Sequence, residues 1–253
     1  MRRTFQATLG GTLALLFLIV PAFVGPVHAD DARAHEIADR VLDALGGAEA
    51  WEQTRYLTFD FVGRRSHSWD RYEGRYRLEG QNREGQQYVV LMDLDDKQGR
   101  AWQDGEEVRG EALDEMLENA WAAWVNDTYW LLAPYKLRDP GVNLSWDGEE
   151  TLDGKTYDKL LLTFGEVGLT PGDRYWIYVN RETSMVDRWA YVLESQDPDT
   201  EPTVWRWEGW DQYGAIQLAP GRFRVGDDRE LSLAPIAAPA TLPDAVFETV
   251  EGK

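Results

Sequence analysis

The sequence predicts an α+β protein that is mainly antiparallel β, and three observations support this fold class. Strand-like runs recur along the chain, with apolar or aromatic residues alternating with polar ones, as in strands that have one covered and one solvated face. Two segments have helical apolar periodicity, one near the start and one in the middle of the chain. Gly, Asp and Pro turn signals separate the runs, which indicates short connections between neighbouring strands.

The first 29 residues have the features of a signal peptide. Arg2 and Arg3 precede an apolar run over residues 9–24, and Val27-His28-Ala29 ends the segment in a small-x-small cleavage pattern. The run is shorter than the roughly 20 residues of a spanning helix, so cleavage after Ala29 is favoured over an uncleaved anchor. We therefore expect a periplasmic protein whose mature chain is residues 30–253, with the Sec and twin-arginine routes both open.

The composition excludes several classes of function. The chain has 45 acidic and 26 basic residues, and loss of the two signal-peptide arginines changes the net charge from −19 to 24 − 45 = −21. Such a surface repels nucleic acid and anionic lipid headgroups. The absence of cysteine excludes disulfides and thiolate metal sites. Residues 30–253 suffice for one sizeable β domain, and no linker divides them, so we expect a single domain.

The first helical pattern follows the signal peptide and leads into a series of strands. Ala34, Ile37, Val41 and Leu45 recur at helical spacing, and Gly46-Gly47 supplies a stop. A short helical turn is expected at residues 48–51. The strand-like runs of the first half are residues 56–61, 66–72, 75–79, 88–93 and 100–103.

A second helical pattern interrupts the strands in the middle of the chain. Residues 111–125 carry one continuous apolar stripe. Asn126 or Asp127 can cap a separate short turn at residues 128–132, which Pro134 ends. The sequence therefore predicts two helices here.

The second half reads as a further meander, with aromatic strands. Asp147-Gly148 and Asp153-Gly154 are turn signals beside runs at 142–146 and 155–164. Three aromatic runs and a final pair follow: residues 173–179, 187–193, 203–209, 215–218 and 222–225. They bring the strand-like runs to twelve, from which we expect about ten or eleven strands. Residues 233–243, rich in Ala and Pro, are expected to form a loosely held tail.

Catalytic motifs are missing from the mature sequence. Only His35 and His67 remain after signal removal, so a Ser-His-Asp triad has few possible members, and there is no G-x-S-x-G elbow. His35 would need a second His where Asp39 stands to form a zincin helix. The aspartates at 93–96 lack the Gly and closing Glu of a calcium loop. The sequence thus predicts a noncatalytic protein without metal or cofactor.

The element order and three segments carry a resemblance to a known family. The segments are residues 129–137 (YWLLAPYKL), 168–176 (GLTPGDRYW) and 205–210 (WRWEGW). With them, most of residues 31–250 resembles an uncharacterised exported branch of the LolA/LolB lipoprotein-carrier superfamily. The resemblance implies an unclosed β half-barrel whose concave face is covered by helices, leaving a hydrophobic cavity for acyl chains. It also implies a basic residue that latches the covering helix, which no motif identifies here.

The leading hypothesis is a noncatalytic periplasmic carrier or sensor that binds a lipid, an acyl chain or a lipoprotein in the helix-covered cavity. Its expected partners are a hydrophobic ligand or a lipid-modified protein, with transient membrane encounters and no nucleic acid; the oligomeric state stays open. The candidate ligand-binding residues are Leu117, Trp121, Trp124, Trp130, Leu131, Trp189, Tyr191, Trp205 and Trp207.

Two alternatives come from other classes of function. The acidic, secreted composition and the twelve Trp residues favour a carbohydrate-binding or glycan-processing protein, because indole faces stack on sugar rings. The other alternative is an interaction module of a cell-envelope complex. Against the first, the Trp residues are distributed through nearly every predicted strand, as core aromatics are.

Overall fold

The structure is a computed structural model that describes residues 29–165 and 168–252. The predicted signal peptide lies outside the described residues, apart from Ala29. Every helix within the described ranges is too short or too polar to span a membrane. The four α-helices of these ranges are α1 Ala29–Ala44, α2 Gly47–Gln53, α3 Glu111–Leu132 and α4 Ala245–Glu248.

The helix boundaries follow the sequence signals with one exception. Gly46 ends α1 with φ 117°, and a Cβ there would lie 2.6 Å from the carbonyl oxygen of Ala215, so glycine is required. The two helices predicted in the middle of the chain are wrong, because α3 runs unbroken through Asp127 to a 3-10 turn at Ala133–Tyr135. The Asp127 carboxylate binds the sheet instead of capping a new helix, so the backbone has no reason to break there.

The strands are all paired antiparallel. In chain order they are β1 Tyr56–Phe61, β2 Arg65–Asp70, β3 Arg75–Gln81, β4 Gln87–Asp93, β5 Gly99–Gln103, β6 Glu106–Val108, β7 Val142–Leu152, β8 Lys155–Phe164, β9 Arg174–Asn180, β10 Val186–Val192, β11 Thr203–Glu208, β12 Asp211–Tyr213, β13 Ile216–Leu218, β14 Gly221–Arg224, β15 Glu230–Ser232 and β16 Ile236–Ala237. The first sheet has the order β16-β1-β2-β3-β4-β5-β6 and the second β15-β14-β11-β10-β9-β8-β7, while β12 and β13 form a separate hairpin.

A short segment near the C-terminus joins the two sheets. Residues 230–237 pair with β14 through β15 and with β1 through β16, and the backbone N–H of Val62 donates to the carbonyl of Ser232 at 2.9 Å. The prediction of a loose tail at residues 233–243 is therefore wrong where that tail begins, since Leu233 is fully buried. Together the sheets form one open antiparallel surface that ends at β6 and β7.

The α+β class with open antiparallel sheets is confirmed, but the structure has more strands than the ten or eleven expected. The described residues contain sixteen strands, and those missed, β6, β12, β15 and β16, have only two or three residues, too few to show alternation. The predicted turn at Asp147-Gly148 is a bulge inside β7, where the register with β8 shifts between Trp146 and Glu149.

Helix α3 crosses one face of both sheets, which we call the inner face. Its first half packs on β4 and β5, and its second half joins α1 in a core with the second sheet. Trp130 on α3 lies edge-on to Trp189 and Trp205 of β10 and β11. The centre of the inner face is thereby filled with side chains, and open space remains toward the last turns of α3.

Candidate functional site

An open cleft of about 580 Å³ lies between the second half of α3 and the inner face of β9 and β10, and we call it the aromatic cleft. Neighbouring turns of α3 present one wall, because residues four apart share a helix face. Aromatic residues of β8, β9 and β10 present the other. The principal lining residues are Trp121, Trp124, Val125, Tyr129, Trp130, Phe164, Tyr175, Trp189 and Tyr191.

The rings of the aromatic cleft hold one another in place. The Trp130 ring is edge-on to Trp189, with ring centroids 4.9 Å apart. Tyr129 is edge-on to Phe164 at 5.8 Å, and Phe164 is edge-on to Tyr175 at 5.7 Å. Edge-to-face pairs of this kind stabilise the arrangement beyond their buried area. The walls are therefore rigid, and the cleft has its shape before a ligand arrives.

The structure divides the nine residues predicted from the sequence into two groups. Trp121, Trp124, Trp130, Trp189 and Tyr191 line the aromatic cleft. The other four belong to packed cores. Leu117 of α3 packs against the first sheet, and Leu131, Trp205 and Trp207 are part of the main core. Helical and strand periodicity identify the inward face but do not tell whether that face meets a side chain or a space.

Five lining residues named here escaped the sequence prediction, although a signal existed for some of them: Val125, Tyr129, Phe164, Tyr175 and Leu193. Tyr175 shares its strand face with Ile177 by simple alternation, and Phe164 ends a strand that was predicted with the same bounds. Leu193 follows β10 directly and is exposed at the edge of the cleft. No periodicity could identify Leu193, because its position depends on how the strand end meets the following loop.

Three side chains of the cleft wall carry buried hydrogen-bond donors that have no partner among the described residues. They are Nε1 of Trp124, Oη of Tyr129 and Nε1 of Trp189. Burial raises the pKa of Tyr129, so its hydroxyl keeps its proton and can donate. An unmade hydrogen bond of a buried group costs about 1–3 kcal/mol. These donors are closed off from the open space of the cleft, as is Nε1 of Trp207 in the main core, so their unmade hydrogen bonds lower the stability of the fold.

A buried arginine on β14 fixes the end of α3. Arg222 donates from Nε to the carbonyl of Trp130 at 3.1 Å and from Nη1 to Ala219 at 2.9 Å, and its guanidinium lies 3.4 Å from the Trp207 ring centroid. Carbonyls in the last turn of a helix lack intrahelical donors, and a cation there is favourable. Burial lowers the pKa of Arg222 from its ordinary value. Arg222 thus attaches the last turn of α3 to the second sheet.

A second contact fixes the middle of α3 to the first sheet. Arg65 on β2 donates through Nη2 and Nε to the fully buried carboxylate of Asp127, at 2.7 Å and 2.5 Å. His67 places Nε2 3.0 Å from the same carboxylate, and its Nδ1 lies 2.7 Å from the hydroxyl of Tyr76. Phe59 stacks on the His67 ring with centroids 4.2 Å apart. These contacts attach the middle of α3 to β2 of the first sheet.

The protonation states of this cluster follow from burial and charge. Burial lowers the pKa of His67 more strongly than the neighbouring carboxylate raises it, so the ring is neutral at pH 7. Burial alone would raise the pKa of Asp127, but His67 and Arg65 lower it below its ordinary value. The α3 carboxylate is therefore charged and bound to Arg65.

Comparison with known proteins gives structural likeness at low sequence identity. No family model matches the chain, and no curated protein matches it. It is similar to a LolA superfamily protein from Nitrosomonas europaea, with 11% identity and a TM-score of 0.47 over 85% of this chain and 96% of that protein. A DUF1329 family protein from Desulfovibrio piger aligns with 12% identity and a TM-score of 0.45, over 88% of this chain and 99% of that one.

A putative outer membrane lipoprotein-sorting protein domain from Vibrio parahaemolyticus is similar to the same extent. It aligns with 10% identity and a TM-score of 0.45, over 88% of this chain and the whole of that domain. These three likenesses are of fold alone, at 10–12% sequence identity.

Proposed function

We propose that this protein is a noncatalytic periplasmic carrier or sensor that binds the acyl chain of a lipid or lipoprotein in the aromatic cleft. In this proposal residues 30–253 form a single exported domain. The observation that carries it is the cleft itself, whose volume of about 580 Å³ lies within the range of roughly 300–1,000 Å³ typical of ligand sites. Its rigid aromatic walls meet the ligand with little loss of side-chain entropy.

The energetics of acyl-chain burial suit a carrier. Removing 14 methylenes from water at about 0.8 kcal/mol each stabilises the bound state by on the order of 11 kcal/mol. A bilayer offers nearly the same free energy, so transfer between membrane and protein is close to neutral. Near-neutral exchange allows a carrier both to load and to release its ligand.

The test uses a neutral amphiphile and a matched pair of valine variants. Tryptophan fluorescence is titrated with dodecyl maltoside below its micelle concentration, and with maltose. We expect a saturable change with the amphiphile and none with the sugar. Val125→Glu puts a charge in the cleft wall and should weaken binding at least tenfold, about 1.4 kcal/mol, because an apolar surround disfavours an unpaired carboxylate.

The matched control is Val225→Glu, at an exposed valine outside the cleft, which should bind like the unaltered protein. Equal binding by the two variants, or no saturable response to the amphiphile, would refute the proposal. Saturable quenching by maltose alone would favour the glycan alternative. All twelve Trp residues lie in the described ranges and each is at least partly buried, which favours packing over sugar stacking. A crosslinking experiment that returns one stoichiometric protein partner would favour the interaction module.

A further inference from the structure

A second cleft, of about 570 Å³, adjoins the aromatic cleft at Trp130, which lines both. We call it the arginine cleft. Its basic lining residues are Arg64, Arg65 and Arg229, and Glu230 is the acid among its lining residues. An apolar space and a basic space thus lie within one side chain of each other, which is close enough for the two ends of one amphiphile.

The arginines here are unusual for this chain because they lack partners. Within the described ranges, the guanidinium groups of Arg64, Arg83 and Arg229 have neither a hydrogen-bond acceptor nor an ion pair, whereas each of the other arginine guanidiniums bonds to a carboxylate or a carbonyl. Two of the three line the arginine cleft, and Arg83 lines a neighbouring cleft together with Arg64. In a protein with 45 acids, unpaired arginines gathered at one place are available to an external anion.

Local backbone geometry fixes Arg64 at this place. The preceding turn has Val62 and Gly63 at φ 54° and 67°, and the N–H of Gly63 donates to the Asp60 carboxylate at 2.6 Å. A β-branched residue at positive φ is strained, and it persists only where the surrounding contacts hold it. Arg65 uses Nε and Nη2 for Asp127, and Nη1 has no acceptor among the described residues.

We infer that the ligand of the aromatic cleft is an amphiphile with an anionic headgroup, a phosphate or a carboxylate, bound by Arg64, Arg229 and Nη1 of Arg65. This inference rests on the proposed function. Guanidinium groups match the geometry of phosphate and carboxylate oxygens and bind them through charge-assisted hydrogen bonds. In this inference the headgroup lies in the arginine cleft and the hydrocarbon chain in the aromatic cleft, on either side of Trp130.

The acidic surface does not oppose this contact. Exposed charges further away than about 8 Å are largely screened at physiological ionic strength, so the nearby arginines dominate the field at the headgroup. The same net charge of −21 (24 basic against 45 acidic residues in the mature chain) repels the surface of an anionic bilayer.

The experiment compares dodecyl phosphate, dodecyl maltoside and inorganic phosphate by tryptophan fluorescence and isothermal titration calorimetry. The double variant Arg64→Gln/Arg229→Gln removes the unpaired charges. The charge-matched control is Arg109→Gln/Arg206→Gln, which alters two exposed arginines that pair with Glu107 and Glu208. We expect dodecyl phosphate to bind at least tenfold more tightly than dodecyl maltoside. The double variant should lose that tenfold and keep its affinity for dodecyl maltoside, and the control should lose neither.

The outcomes separate this inference from the proposed function. If the unaltered protein and the double variant bind both amphiphiles equally, the anionic headgroup is refuted while acyl-chain binding stands. If inorganic phosphate binds as tightly as dodecyl phosphate, the arginines serve a free anion and the inference is refuted. If neither amphiphile binds saturably, the proposed function itself fails.

Discussion

Tyr129 shows how a single polar atom in a cleft wall can lower the stability of the fold. Its ring packs edge-on to Phe164, yet its hydroxyl is buried and has no hydrogen-bond partner in the described part of the chain. A buried hydroxyl without a partner destabilises the folded protein by about 1–3 kcal/mol relative to a satisfied one. The hydroxyl is also closed off from the open space of the cleft, so the cost is one of folding and a ligand in the cleft does not remove it.

We predict that Tyr129→Phe stabilises the protein by about 1 kcal/mol, because it removes a desolvated hydroxyl and keeps the ring. The same variant should bind methyl laurate, which has an ester carbonyl, as tightly as the unaltered protein does, because the Tyr129 hydroxyl is closed off from the cleft. Urea denaturation and fluorescence titration measure the two effects.

Tyr157→Phe is the matched control, since the hydroxyl of buried Tyr157 donates to the Asp187 carboxylate at 3.2 Å. Tyr157→Phe should destabilise the protein by about 1.5–3 kcal/mol, because it loses a hydrogen bond to a charged group. If Tyr129→Phe destabilises the protein as much as the control does, its hydroxyl has a partner and the argument is wrong.

Individual residues also mark the limit of what the sequence predicted. Alternation assigned Trp189 and Tyr191 to the inner face, and the structure has both in the wall of the aromatic cleft. The sequence could not identify Arg222 as a buried residue, because an arginine in a strand is ordinarily solvated. In the structure Arg222 pairs with Trp207 of the neighbouring strand. Its burial depends on the carbonyl of Trp130, which is 92 residues away in the chain.

Helix α3 is the element on which access to the aromatic cleft depends, and two arginines hold it. Arg65 binds Asp127 near its middle, and Arg222 binds the carbonyl of Trp130 near its end. These contacts attach the helix to different sheets. Any movement of α3 that widens the cleft must therefore break or shift one of them.

We predict that Arg222→Met destabilises the protein by roughly 3 kcal/mol, because it leaves several buried carbonyls without donors. Hydrogen exchange at the last two turns of α3 should accelerate more than exchange in β3 and β4. Arg222→Lys keeps the charge but loses the planar fork and should be intermediate. Unchanged exchange in α3 of Arg222→Met would show that the arginine does not hold the helix.

The elements were predicted to very different accuracy for identifiable reasons. β1 and β8 have the predicted bounds, because each is a long alternating run next to clear turn signals. The break in α3 was wrong because Asn126-Asp127 is a typical cap when considered alone. In the structure the Thr128 hydroxyl bonds back to the carbonyl of Trp124 at 2.7 Å, so its side chain stays within the continuing helix.

Acid should weaken the folded protein in two successive pH ranges. Burial lowers the pKa of His67, so the unfolded chain takes up a proton at this residue before the folded chain does. Stability is then lost as the pH falls below the unfolded value of about 6.5. Burial alone would raise the pKa of Asp70, but Arg55 and Arg75 lower it to about 2. The stability that the ionised Asp70 contributes is therefore present above about pH 3.9, the pKa of Asp in the unfolded chain, and is lost as the pH falls below that value.

We predict that the free energy of unfolding falls below pH 6.5 with a slope of up to about 1.4 kcal/mol per pH unit. Urea denaturation from pH 7.5 to pH 3 measures this. His67→Gln, which keeps a polar side chain near Asp127, should remove the slope between about pH 6.5 and 4.5 and retain the loss below about pH 4. An equal slope in the two proteins over the upper range would contradict the assignment to His67.

The open ends of the joined sheets have a consequence for contact between molecules. An unpaired strand edge invites a strand from a neighbouring molecule, which is how sheets polymerise. Here β6 is three residues long and begins with Glu106 and Glu107, and β7 is bent by a bulge and carries Glu149 and Glu150. Short length, distortion and like charge each discourage such addition. The open edges of the joined sheets are therefore protected against strand addition by other copies of the protein, even at high concentration.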